Sequence, residues 1–347
     1  MTQRDSGSIQ KPEMDDRAMW DILSGIFAYP AVLVSHDLGL FSLLAERPRT
    51  LPEVCDSLGI ALRPAGALLS ANAALNLVKL DGGVYTLTKF AKTYLLKDSP
   101  TSFCGYLDLM IPLSSLYSVD SLKQAVLSDS PQAYGGEDWV KSHERQAEQA
   151  RVFTLAMHGH SMGPALAWPD VIDLSQHQLM LDIGGGSGAH SIGATRRWPK
   201  LKAVVLDLAP VCDVAKEMID QHGQNDSIST RVFDYWEEAF PAADVHFYSN
   251  NYQGWPPDKC RTLTEKSFKS LIPGGRIIIH EILFNDDKTG PLAAAAFNIV
   301  MLLWVTGQQY SGKELAQMLR DGGFINIQVK QTFGYWSVVT GEKPMER

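Results

Sequence analysis

The stretch Leu179-Met-Leu-Asp-Ile-Gly-Gly-Gly-Ser-Gly188 constrains this chain more than any other, because a short apolar run there breaks into glycines and leads to a helix-like segment through Arg197. An apolar run with no polar alternation reads as a buried parallel strand, both of whose faces are covered. Glycines such as Gly184 and Gly186 then let the backbone turn tightly and come close to a ligand. Such a strand-to-helix turn is shared by dinucleotide, nucleotide and S-adenosylmethionine sites, and also occurs as a plain tight turn.

The following strands narrow the choice. Ala203-Val-Val-Leu206 ends at Asp207, nineteen residues past Gly188, and an acid at the tip of the second strand of a doubly wound sheet can accept both ribose hydroxyls of a nucleoside. A third strand, Ile228 to Phe233, ends at Asp234-Tyr235-Trp236, where an acid can accept an adenine amine while an aromatic lies on the ring. The first loop carries Asp182 instead of a pattern that seats a helix N-terminus against a pyrophosphate, which suits a ligand with an amino group and no phosphate. These features together point to S-adenosylmethionine as cofactor.

Leu181-Asp-Ile-Gly-Gly-Gly-Ser-Gly188, Val205-Leu-Asp-Leu208, Phe233-Asp-Tyr-Trp236, Trp255-Pro-Pro-Asp-Lys-Cys260, Pro273-Gly-Gly-Arg276 and Gly322-Gly-Phe324 carry a resemblance from about Arg17 to Thr340. On these motifs the chain resembles the S-adenosylmethionine-dependent O-methyltransferases that include the plant caffeate and hydroxyindole enzymes. The resemblance implies an α/β fold: a polar tail over 1–16, a winged-helix-like helical dimerisation domain over 17–135, and a class I, Rossmann-like methyltransferase domain over 136–347. It implies a homodimer and a small-molecule acceptor. It also places Met157, Ser161, Leu208, Ser249 and Trp255 beside the cofactor, Met157 having core packing as its bland alternative.

With 347 residues the chain can hold two domains, and a formal charge of −8 argues against nucleic acid or an anionic membrane surface as partner. Cys55, Cys104, Cys212 and Cys260 are scattered without a CxxC pair, as expected of reduced thiols in a cytoplasmic protein. No apolar run reaches the about 18 residues that suggest a membrane span, and the polar N-terminus does not read as a signal peptide.

In the N-terminal part, apolar residues from Ala18 to Leu44 recur at helical spacing and predict two short helices interrupted near Pro30. Thr50-Leu-Pro-Glu53 has the form of a capping box, opening a helix through about Leu58. A second helix follows over 62–78, and Asp81-Gly-Gly83 reads as a hairpin turn. This is the layout of a winged helix, so a DNA-binding regulator is the rival class. The helix that would enter a groove offers Arg63 alone among aliphatic residues, which suits packing on another subunit better than neutralising phosphates. Helical segments are expected over 102–127 and 137–166, then strands near 179, 203, 228, 244 and 276 alternating with helices, and a closing antiparallel hairpin over 326–340.

One residue departs from the family pattern. O-methylating members carry His-Asp-Trp after the fourth strand, the histidine removing the acceptor's hydroxyl proton, whereas this chain reads Gln253-Gly-Trp255. An amide does not titrate usefully near neutral pH and cannot serve as general base. Methyl transfer to a thioether removes the need, since a neutral sulfur attacks and no proton is lost. On Met157-His-Gly-His-Ser-Met-Gly-Pro164 and Tyr252-Gln-Gly-Trp255 the chain resembles the bacterial S-methyltransferases that act on 4-methylthio-2-hydroxybutyrate in dimethylsulfoniopropionate synthesis. O- or N-methylation of an aromatic metabolite, with His158 or Glu281 as base, stays open, as does chemistry that keeps the cofactor but transfers no methyl. Gln253 and His158 are thus the candidates for positioning at the reacting centre. Tyr106, Tyr134, Arg151, His158, His160 and Tyr252 are candidates for holding an acceptor carboxylate, and Met301, Leu302 and Trp304 for lining its pocket. His158 and His160 lie two apart, so they diverge on a helix, and no metal ligand set is expected.

Overall fold

In the computed structural model, which describes residues 11–133 and 147–345, the chain divides into two units, Met1–Leu96 and Lys97–Arg347. The division falls well before the expected 135/136 boundary. The reason is packing: the helices that follow Leu96 belong with the long helix and the late apolar helix of the second unit.

The first unit contains α1 (Arg17–Asp37), α2 (Leu40–Glu46), β1 (Arg49–Thr50), α3 (Leu51–Leu58), α4 (Leu62–Ala74), β2 (Val78–Asp81), β3 (Val84–Leu87) and α5 (Lys89–Tyr94). The strands form a small antiparallel sheet in the order β1-β3-β2. At the start of α3 the Thr50 N–H donates to the Glu53 carboxylate at 2.7 Å, and the Thr50 hydroxyl does so at 2.9 Å, so the capping box forms as the sequence suggests. Gly82 and Gly83, at φ +52° and +82°, make the hairpin turn.

Two expectations for this unit are corrected. Pro30 lies inside one continuous 21-residue helix instead of separating two; the break comes at Gly39, whose φ of +76° a residue with a side chain resists. The 62–78 segment keeps Leu62 and Leu75 exposed, at 60% and 41%, but the first helix exposes a longer apolar row. α4 buries Ala65, Leu69 and Asn72, while α1 leaves Met19, Trp20, Ile22, Ile26 and Phe27 more than half exposed. By length and composition α1, with mean hydropathy 1.4, is apolar enough to cross a membrane, contrary to the reading that no such run exists.

The second unit contains α6 (Cys104–Met110), α7 (Val119–Ser128), α8 (Ala147–Ala167), β4 (Leu179–Ile183), α9 (Ala189–Arg197), β5 (Lys202–Asp207), α10 (Ala209–Gln221), β6 (Ile228–Val232), β7 (Ala243–Ser249), α11 (Pro257–Ser270), β8 (Leu271–Ile282), α12 (Leu292–Trp304), α13 (Gly312–Asp321), β9 (Ile325–Gln331) and β10 (Trp336–Glu342). Seven strands order as β6-β5-β4-β7-β8-β10-β9. The first five are parallel, and β10 runs antiparallel to both neighbours. Side chains alternate between two buried layers: Leu181, Ile183, Ile277 and Ile279 pack on one face, Met180, Val205, Phe247 and Ile278 on the other. Burial on both faces explains why these strands read as unbroken apolar runs. The chain leaves β4 toward β5 on one side and reaches β7 on the other, so a crevice opens at the C-terminal ends of β4 and β7, where ligands of such sheets bind. The expected early part of the long helix, from Glu137, and the candidate Tyr134 lie outside the described residues.

Candidate cofactor and acceptor site

At the end of β4 the backbone passes through Gly184, Gly186 and Gly188, all at positive φ. A Cβ on Gly184 would collide with the Asn251 amide, and one on Gly185 would sit 2.7 Å from the Asp182 carboxyl carbon, so the loop folds back on its own strand and on the loop after β7. Asp182 is buried beneath it. The Ser191 hydroxyl donates to Asp182 Oδ2 at 2.7 Å, while Oδ1 has no partner. Burial pushes this carboxyl up to about 7.

Asp207, at the tip of β5, accepts the Gly186 N–H at 2.9 Å and the Leu208 N–H at 2.8 Å. Burial raises it to about 6 against those two hydrogen bonds. After β6, Asp234 accepts the Trp236 N–H at 2.8 Å, and Tyr235, Trp236 and Trp255 gather edge to face, with 4.8 Å between the Trp236 and Trp255 ring centroids.

One cavity joins these groups. Met157, Ser161, Asp182, Gly184, Gly186, Asp207, Leu208, Asp234, Tyr235, Ser249 and Trp255 all line it, as do Gln253, Tyr106, Met301 and Trp304. The cavity also holds residues the sequence reading did not single out: Leu109, Met110, Tyr117, Phe153, Phe297 and Val300 on the helical side, and His190 and Asn251 near the glycine loop. His190 directly follows the loop by one residue, a position that could have been read. The helical wall carried no comparable mark.

Five acceptor-side expectations are corrected. Arg151 pairs with Glu217 across α8 and α10 at 2.7 and 2.8 Å and does not line the cavity. His158 faces the loop instead, its Nδ1 2.8 Å from the Ser187 hydroxyl and its ring 5.4 Å from that of His222; burial and His222 hold it down to about 4. His160 points the other way, stacked on Tyr106 and Phe297 behind the cavity wall. Burial lowers it to about 4 as well. The Tyr252 hydroxyl is spent in the core on Thr264, at 3.0 Å. Leu302 does not line the cavity and packs in the apolar cluster shared with α7.

Gln253 lies on a short turn after β7 and is 5% exposed. Its Nε2 donates to Asn250 at 3.2 Å, and its Oε1 is unpartnered. The turn is held from behind by Glu281, whose Oε1 accepts the N–H groups of Asn251 at 3.0 Å and Gln253 at 3.2 Å. Glu281 is wholly buried, is raised to about 7 by that burial, and does not line the cavity. Gly307 closes the other side: a Cβ there would collide with the Gln253 carbonyl. Among the described residues no group of three or more His, Cys, Asp or Glu could hold a metal ion.

The donor set fits S-adenosylmethionine. The cavity lining brings together Asp182, a buried acid with one unpartnered oxygen, Asp207 at a strand tip, and three aromatics. Residues 119–325 match the O-methyltransferase domain, and residues 20–97 the O-methyltransferase dimerisation domain. The chain is 30% identical to 3-hydroxy-5-methyl-1-naphthoate 3-O-methyltransferase of Streptomyces sahachiroi over 87% of its length and 88% of the relative's. It is 27% identical to L-tyrosine C(3)-methyltransferase of Streptomyces lavendulae, over 90% and 88% of the two chains. Among solved structures, human N-acetylserotonin methyltransferase in complex with S-adenosylmethionine superposes with a TM-score of 0.83 at 26% identity, over 97% of this chain and all of that one.

Proposed function

Since the chain belongs to the O-methyltransferase family and is an S-adenosylmethionine-dependent methyltransferase, we propose that it methylates a nucleophile with no proton to lose, the thioether sulfur of a small acid such as 4-methylthio-2-hydroxybutyrate. Gln253 carries this reading. It lines the cavity and stands at the place in the chain where the family resemblance puts the base of O-methylating members, and a carboxamide accepts no proton at neutral pH. The nearest acid behind it, Glu281, is engaged with backbone N–H groups and is screened from the cavity by the Gln253 turn itself.

S-adenosylmethionine, when bound, supplies a methyl group activated by attachment to a sulfonium. Asp207 would hold the ribose hydroxyls, Asp182 the ammonium, and Tyr235, Trp236 and Trp255 the base. His158 acts indirectly, fixing the glycine loop through Ser187. On the acceptor side Tyr106, Phe153, Met301 and Trp304 exclude water and limit the acceptor's freedom, and alignment in a dry site contributes several kcal/mol without acid or base. A thioether attacks with its own lone pair and ends as a sulfonium, so nothing has to take up a proton. The neutral amide of Gln253 then sits beside a cationic product without repelling it.

The relatives favour a second reading, methylation of a hydroxyl on an aromatic ring. The aromatic wall of Tyr106, Tyr117, Phe153, Phe297 and Trp304 suits a flat acceptor. A phenol, ordinarily ionising near pH 10, would then react through its small ionised fraction.

Mass spectrometry of products from 4-methylthio-2-hydroxybutyrate, related thioethers and a phenolic panel, from about pH 6 to 9, separates the two. The thioether reading expects a sulfonium product at a rate nearly flat with pH. Turnover of a phenol and of no thioether, with a rate climbing with pH, overturns it and establishes the second.

A further inference from the structure

The described lining of the cavity includes no lysine or arginine, and Arg151 is committed to Glu217 at the surface. Yet the cofactor carries a carboxylate, and so does the proposed acceptor. Something in the cavity has to meet an anion.

Among the described residues His190 is the one imidazole that lines the cavity. It is 4% exposed, and neither ring nitrogen has a hydrogen-bond partner. The ring is fixed by packing, 5.1 Å from Phe247 and 5.2 Å from His280 between centroids. A neutral imidazole carries one N–H donor and one acceptor nitrogen. Leaving both buried and unmade costs free energy comparable to a lost hydrogen bond for each, so such a side chain is expected to have a partner supplied by a ligand. The next residue, Ser191, holds one oxygen of Asp182, a cavity-lining acid whose other oxygen is buried and without a partner. The first turn of α9 therefore carries an imidazole at the cavity wall and, at the next residue, the hydroxyl that holds Asp182, and an acid with an imidazole donor is the pair that an ammonium and a carboxylate on one ligand require.

We infer that His190 is a carboxylate-binding residue, donating its ring N–H to a carboxylate in the cavity close to the Asp182 oxygen that meets an ammonium. The carboxylate belongs either to the methionine part of the cofactor or to an acidic acceptor. This inference rests on the cofactor assignment and is independent of whether the acceptor atom is sulfur or oxygen.

The test uses the full-length enzyme and His190→Phe, which fills the volume without an N–H. Calorimetry compares S-adenosylhomocysteine with its decarboxylated analogue, and steady-state kinetics compares an acceptor acid with its methyl ester. Loss of about ten- to a hundredfold in affinity for S-adenosylhomocysteine but not for the decarboxylated analogue assigns the carboxylate to the cofactor. An equal rise in KM for the acid but not for its ester assigns it to the acceptor. If the variant changes neither ratio, the inference is overturned. Should phenylalanine disturb folding, ¹⁵N-histidine spectra of the wild type decide. An imidazole resonance that moves with the carboxylate-bearing ligand and not with its neutral counterpart supports the assignment, and identical responses refute it.

Discussion

Asp182 and Asp207 are both buried acids, but they are differently occupied. Asp207 already accepts two backbone N–H groups, whereas Asp182 has a free oxygen and is raised to about 7. A cationic ligand favours the ionised form, so a protonated Asp182 must release its proton on binding. Affinity for S-adenosylmethionine is therefore expected to be full above about pH 7 and to fall as pH drops below it. Calorimetry in buffers of different ionisation enthalpy should detect proton release near pH 6 to 7. Asp207→Asn should weaken binding by roughly 1.5–3 kcal/mol for each charge-assisted bond lost; unchanged binding would remove Asp207 from the ribose site. At the acceptor end, Gln253→His tests the proton count. It should not raise the rate on a thioether, but should raise the rate on a phenol if phenols are turned over. That Asp182, Gly184, Gly186, Asp207, Asp234 and Ser249 line one cavity was legible because each sits at a strand tip or in a glycine turn, where local sequence fixes position. Arg151, His160 and Tyr252 were misplaced because helical spacing and residue type mark a side chain as buried or polar without saying which neighbour it meets.

Among the elements, the expected hairpin, the capping box and the alternation of strands with helices were readable from turn chemistry and apolar period. Replacing Thr50 by Ala should cost about 1 kcal/mol in unfolding free energy through loss of the cap. What was not readable was the course of α1. Its proline removes one helix hydrogen bond, and a long helix tolerates that where the neighbours allow, so the break moved to Gly39. The exposed row of Trp20, Ile22, Ile26 and Phe27 falls within the stretch that matches the dimerisation domain, and a patch of this kind marks an interaction surface. Light scattering is expected to give a homodimer, and Ile22→Glu with Phe27→Glu to shift it toward monomer; an unshifted dimer would place the interface elsewhere.

For the whole molecule, stability should depend on pH through buried titratable groups of two kinds. Burial depresses His158, His160, His190, His246 and His280, so the native state binds fewer protons than the unfolded chain, and the stability they contribute is lost as pH falls below about 6.5. Asp182, Asp207 and Glu281 are raised instead, so their contribution runs the other way and is lost as pH rises through about 6 to 7. Five protons gained on unfolding against three already held leaves about two, or roughly 2–3 kcal/mol lost per pH unit near pH 5. Thermal melts should be nearly level from pH 7 to 8 and fall below pH 6.5, more steeply with cofactor bound, because binding ionises Asp182. The two ends of the cavity also come from different parts of the architecture. Strand tips of the sheet present one end, and α6, α8 and α12, which lie outside the sheet, present the other. Inheritance can therefore act on them separately: drift in three helices retunes which molecule is accepted while the sheet keeps the donor in place, and grafting those helices between relatives is the direct way to move a substrate preference from one lineage to another.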